Sequence, residues 1–264
     1  MKDFMPANEL ARDERFSRIT NEQRFGDPRN ASLVSQGRMH PEGEDGPERA
    51  ARLMHGIFVG EIQALEGAGR TAWDFRDDPG TPYELRLDMA RQAWDEARHC
   101  EISFKLMEHM GTGIGEYAES VFLFEACCAN DPLLRLAGVN RALEGLAIDV
   151  FNTMREFGME GGDPVMSLCE DWMLADEVTH VKMGSDWLRR LTVNDKERRE
   201  KALEFQRTVD KLFSFGGQRG EDDESFLRLS SDFRRLAGFT DDELDEIAAL
   251  SKESREEGLV APRR

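Results

Sequence analysis

The chain has 264 residues, with 53 acidic side chains against 35 basic ones and a formal net charge of −18. No Lys/Arg cluster stands clear of neighbouring carboxylates, so the counterion release that drives nucleic-acid binding has no footprint here. No run approaches eighteen apolar residues, which argues against a membrane-spanning helix, and the opening MKDFMPANELARDERF lacks the apolar stretch of a secretory signal. The expected compartment is the cytoplasm.

Residues 1–46 mix charge with Gly, Pro and Asn (GDPRN, HPEGEDGP) and read as an extended arm, with one short helix near 7–18. From Pro47 to about Ala68, Ile57, Glu61, Ala64, Leu65 and Ala68 fall on one helical face. A second helix is expected from about Pro82 to Met110, closed by Gly111, with an inward stripe of Met89, Ala93, Glu96, His99, Cys100, Ser103 and Met107. Residues 116–128 suggest a short apolar helix. Asn130, Asp131 and Pro132 then supply a cap and a first turn for a third long helix. It is expected to run to about Phe157, with Ala137, Asn140, Glu144, Ala147, Ile148 and Phe151 on one face, and to be broken by the glycines of FGMEGGDP.

A fourth long helix begins at Asp163-Pro164 and carries Met173, Glu177, His180, Gly184 and Trp187 on a single stripe. A charged helix near 194–214 and shorter ones near 221–236 and 240–252 complete the chain, the last with a capping-box start at Thr240 and DDEL. No segment alternates as a half-buried strand does. The expected architecture is all-α: an arm over 1–46, a four-helix bundle over 47–191, and a C-terminal helical appendix over 192–264 packed on the same domain.

Two of the five histidines sit in matching five-residue motifs. Asp95-Glu96-Ala97-Arg98-His99 and Asp176-Glu177-Val178-Thr179-His180 both read D-E-x-x-H, and residues i and i+3 share a helix face, so each Glu and His can grip one side of a metal. Glu61 and Glu144 stand inside apolar stripes of the preceding helices, 35 residues before Glu96 and 33 before Glu177. Each half of the chain is therefore a helix pair offering Glu, then Glu-x-x-His. Four acids facing a core demand a cation, because uncompensated burial costs several kcal/mol per charge. Carboxylate and imidazole ligands suit iron or manganese rather than structural zinc, giving Glu61, Glu96, His99, Glu144, Glu177 and His180 as the metal and catalytic set.

Asp95 and Asp176 are candidates to accept the outer ring N–H of a histidine across the site, and ordinary surface acids are the competing reading. Arg98 could pair with such an acid. Glu66, Glu125 and Glu170 read as solvated or supporting groups. His40, His55 and His109 read as surface or satisfied core residues, and Met107, Met173, Trp94 and Trp187 as core. Cys100, Cys127, Cys128 and Cys169 form no C-x-x-C pair and read as buried free thiols.

These motifs resemble the ferritin-like di-iron carboxylate superfamily over about residues 47–190, and within it the group called domain of unknown function 455. The likeness rests on Gly60-Glu61-Ile62-Gln63-Ala64-Leu65-Glu66, on Asp95 to His99, and on Leu143-Glu144-Gly145-Leu146-Ala147-Ile148-Asp149-Val150. It also rests on Gly162, Asp163, Asp176, Glu177, His180, Val181, Gly184 and Trp187. Gly60 departs from the group's usual His, and the Arg that follows its Glu in the third motif is missing, which touches the substrate pocket rather than the ligands. The resemblance implies two iron ions (manganese or a mixed Mn/Fe pair as variants), O2 as co-substrate and a helical bundle. The expected function is an O2-dependent non-haem di-iron oxygenase or oxidase that hydroxylates, N-oxygenates, desaturates or cleaves a small molecule. Ferroxidase or iron storage is the alternative, and tRNA hydroxylation a weaker one. An external electron donor or reductase, a small-molecule substrate and a homodimer are the expected partners, with no nucleic acid or membrane.

Overall fold

A computed structural model describes residues 46–117, 122–212, 219–220 and 227–256. The arm expected over residues 1–46, its short helix and His40 lie outside the described residues, save Gly46 itself, which begins the first helix. So do parts of 116–128 and 221–236. The described residues are predominantly helical. The exception is one parallel pairing of two-residue strands, Arg219–Gly220 (β1) and Leu227–Arg228 (β2), too short to leave an alternation in the sequence. No helix among the described residues is long and apolar enough to cross a membrane. The chain divides into two compact units, residues 1–135 and 136–263.

In the first unit, α1 (Gly46–Asp74) packs against α2 (Tyr83–His109), α3 (Phe122–Ala126) rests on α1, and α4 (Pro132–Arg135) closes the unit. Helix α1 outruns its expected end near Ala68 because its last turn is held from far along the chain. Arg135, buried, donates to Asp74 Oδ2 (2.7 Å), Thr71 Oγ1 (3.4 Å) and the Ala129 carbonyl (2.7 Å), with its guanidinium over the Phe75 ring. Helix α2 ends where expected, with Gly111 at φ 78°. Its buried stripe differs in detail: Leu85, Gln92, Asp95 and Leu106 are inside, whereas Ala93 and Cys100 are only half-buried. Trp94, read as core, is 66% exposed. It stands two positions from Gln92 and Glu96, at an angle that carries it off the inward face.

The second unit opens with a π-helix, Leu136–Leu143, that leads into α5 (Glu144–Gly161), followed by α6 (Pro164–Leu191), α7 (Lys196–Leu212), α8 (Ser231–Leu236) and α9 (Asp241–Glu256). The third long helix is therefore not a continuous α-helix. All eight π residues are buried, and Ala147, placed on the inward stripe by 3.6-residue periodicity, is half-buried. The helix passes through Gly158 and ends at Gly161, with Gly162 in the left-handed region at φ 70° as its cap.

Asp163 then caps α6, its Oδ1 accepting from the Val165 and Met166 amides, both at 3.0 Å. Thr240 and Glu243 form the expected capping box on α9: Glu243 N donates to Thr240 Oγ1, and Thr240 N to Glu243 Oε2. Helix α6 packs on α5 and the π segment, α7 on the π segment and α9, and α8 on α5 and α6. All four cysteines are free thiols, but only Cys127 is fully buried.

Candidate metal centre

Each unit carries one acid–acid–imidazole triad on a pair of neighbouring helices. In the first, Glu61 of α1 meets Glu96 and His99 of α2, where the i, i+3 spacing stacks the last two on one face. His99 Nδ1 lies 3.2 Å from Glu61 Oε2 and 3.0 Å from Glu96 Oε2. All three residues are at most 6% exposed, and they offer ligand atoms within 4.8 Å of one another. Gln92, one turn before Glu96, donates to its other oxygen, Oε1, at 3.1 Å. That bond orients Glu96 so that Oε2 faces His99.

Asp95 is buried. On its own helix it pairs with Arg98 and, at 3.5 Å, with Arg91, so Arg98 does take up an acid beside the triad. Burial, first, and the negative charges of Glu61 and Glu96 together push the Cys100 thiol up to about 12, while His99 opposes them.

In the second unit, Glu144 is the first residue of α5, directly after the π segment, and Glu177 and His180 lie on α6. His180 Nδ1 is 3.4 Å from Glu177 Oε2, all three residues are buried, and their ligand atoms again lie within 4.8 Å of one another. Nδ1 is thus the ring nitrogen turned toward acid oxygen in both triads. Asp176 is half-buried.

Among the other acids, Glu66 is exposed, but Glu170 is fully buried, so the solvated reading fails for it. Glu170 stands two turns before Glu177 on the stripe that also holds Met173 and His180; the seven-residue spacing was its only signal. Its charge helps raise the neighbouring Cys169 thiol, after burial itself. His55 is a satisfied core residue whose Nε2 accepts from the Gly115 amide at 3.1 Å, and His109 is exposed. Gln92 was not singled out by its sequence context, although its position four before Glu96 could have marked it. Nor was Arg234, whose buried partner 85 residues before it, Asp149, was named only as part of the Leu143 to Val150 motif.

The donors fit a divalent cation. The two carboxylates of each triad, shielded from water and with ligand atoms within 4.8 Å of one another, repel each other unless a positive charge is shared between them. With the imidazole, they are the ligand types that iron and manganese take.

The family described as "Protein of unknown function (DUF455)" matches residues 3–245 of the chain. A Haemophilus influenzae protein described as "Uncharacterized protein" is 27% identical over 209 residues, which span 76% of this chain and 68% of that protein. No solved structure matches.

Proposed function

The chain belongs to the DUF455 family, and from that footing we propose that it is an O2-dependent non-haem di-iron oxygenase or oxidase acting on a small molecule. The observation that carries this reading is the duplication: Glu followed by Glu-x-x-His occurs twice, and each copy forms a buried triad with ligand atoms within 4.8 Å. In the proposal Glu61, Glu96 and His99 hold one ion and Glu144, Glu177 and His180 the other. The ferritin-like four-helix architecture is part of the same proposal, supported by the motifs and by the four long helices that carry them. A reduced iron pair, when bound, supplies electrons and open positions for O2.

The chain's own residues do the rest. Glu96 is held by Gln92 through Oε1, which leaves Oε2 for the ion side. His99 and His180 present Nδ1 to the acids, and a partner on Nε2 would fix the tautomer and ring plane of each as a ligand. Burial keeps bulk water from the six groups, so charge changes there are not screened and a reactive oxidant is not quenched. The remaining surface is strongly acidic, which favours a reductase with a basic docking face as the electron donor.

The test is metal analysis of the purified full chain, followed by anaerobic reduction and exposure to O2. Two irons per chain and an O2-dependent absorbance change are expected. Less than one iron or manganese per chain after reconstitution overturns the proposal.

A further inference from the structure

Glu144 stands apart from the other five proposed ligands. They sit inside regular α-helix, whereas Glu144 is the first residue after eight residues of π-helix. A π-helical run is rare because its hydrogen-bond geometry is poor, and it persists where the surroundings hold it. Here buried Arg141 ties the π segment to three other helices, and on the other side of Glu144 buried Arg234 holds the first turn of α5. Arg141, within the π segment, donates to Gln206 Oε1 of α7 at 2.8 Å, to Ser185 Oγ of α6 and to Glu243 of α9, and lies over the Phe239 ring.

Arg234 of α8 grips the other side. Its Nε and Nη2 bond the two oxygens of Asp149 at 3.0 and 2.8 Å, and Nη2 also donates to the Gly145 carbonyl. Residues 145 and 149 mark one turn of α5, so the guanidinium spans that turn directly beside Glu144. Ser230 N adds a bond to Asp149 Oδ1 at 2.8 Å. Position 145 has to be small for this: a β-carbon there would stand 2.9 Å from Arg234 Nη1.

We propose that Arg234 is a positioning residue for the metal ligand Glu144, through which the C-terminal helices set the geometry of the second ion's site. This rests on the metal-binding reading of Glu144, Glu177 and His180. A planar fork that bonds a carbonyl and both carboxylate oxygens at once has no equivalent in lysine. The charge alone therefore does not suffice.

The experiment titrates the metal-free full chain with Co2+ and reads stoichiometry, affinity and the visible ligand-field spectrum of each site. Wild type is expected to take two ions. Arg234→Gln and Arg234→Lys are both expected to bind the first-triad ion as wild type does and to bind the other about 10- to 100-fold more weakly, with an altered spectrum for that ion alone. Gly145→Ala, which displaces the guanidinium without removing it, gives the same selective loss and serves if the Arg234 variants do not fold. Two ions at unchanged affinity and spectrum in these variants overturn the positioning role while leaving the metal reading intact. No ion in wild type overturns both.

Discussion

Gly184 of α6 faces Asn140 of the π segment with no room for a side chain between them: a β-carbon at 184 would lie 2.5 Å from the Asn140 Cβ. The contact brings α6, which carries Glu177 and His180, against the segment that leads into Glu144. Gly184→Ala is therefore expected to destabilise the fold by about 1–3 kcal/mol through overpacking, even though alanine is the better helix former by about 1 kcal/mol. Gly69 of α1 has nothing within 4 Å of its β position, so Gly69→Ala should stabilise by up to about 1 kcal/mol. Urea midpoints of the two variants with opposite signs would confirm the contrast, and a neutral or stabilising Gly184→Ala would refute it.

Removing one ligand should act in opposite directions with and without metal. Glu96→Gln and Glu177→Gln each remove a negative charge from a buried triad, so the metal-free variants should melt higher than the metal-free wild type. Each variant should also lose one of two ions. An ion present at a hundred times its dissociation constant stabilises by about 2.7 kcal/mol, and in a chain of this size each kcal/mol is worth roughly 2–4 °C. Chelation of wild type should then lower Tm by at least about 5 °C per ion, and of each variant by half the wild-type total. Calorimetric scans with and without chelator read both effects.

The Asp149–Arg234 pair, with both side chains fully buried, should be costly to break from one side only. Arg234→Met or Asp149→Leu alone leaves an unpaired buried charge, at about 3–5 kcal/mol. The double variant should cost far less than the sum of the two. A double-mutant cycle of chemical denaturation measures the coupling, and additive single effects would mean that the pair carries none.

Asp163 satisfies two amides at the head of α6. Asp163→Ala should lower stability by about 1 kcal/mol, with the loss largely recovered in Asp163→Ser. Equal melting of Asp163→Ala and wild type would rule out the capping contribution.

The triads were legible in the sequence because their logic is local. Glu96 with His99 and Glu177 with His180 are one turn apart, and Glu61 and Glu144 betray themselves as acids inside apolar stripes. The same locality made the Asp163-Pro164 cap and the Thr240 capping box readable.

What escaped was non-local or without a periodic trace. Residues 136–146 are buried all round, so LAGVNRALEGL shows no polar face from which the change of helical pitch could be read. Arg135, Arg141 and Arg234 look like surface cations until partners 44 to 102 residues away are known. Trp94 was misplaced because an aromatic on an amphipathic helix defaults to the core, and only the true phase of α2 turns it outward.

Each triad draws its three ligands from two helices adjacent in sequence, over 39 residues in one case and 37 in the other. Coordination therefore closes a short stretch of chain, and loop-closure entropy grows slowly but surely with length. The Glu61 triad is complete once the chain has reached His99, before any of the Glu144 triad's helices have been synthesised. An ion held by the Glu61 triad would clasp α1 to α2 without drawing on any residue of the Glu144 triad.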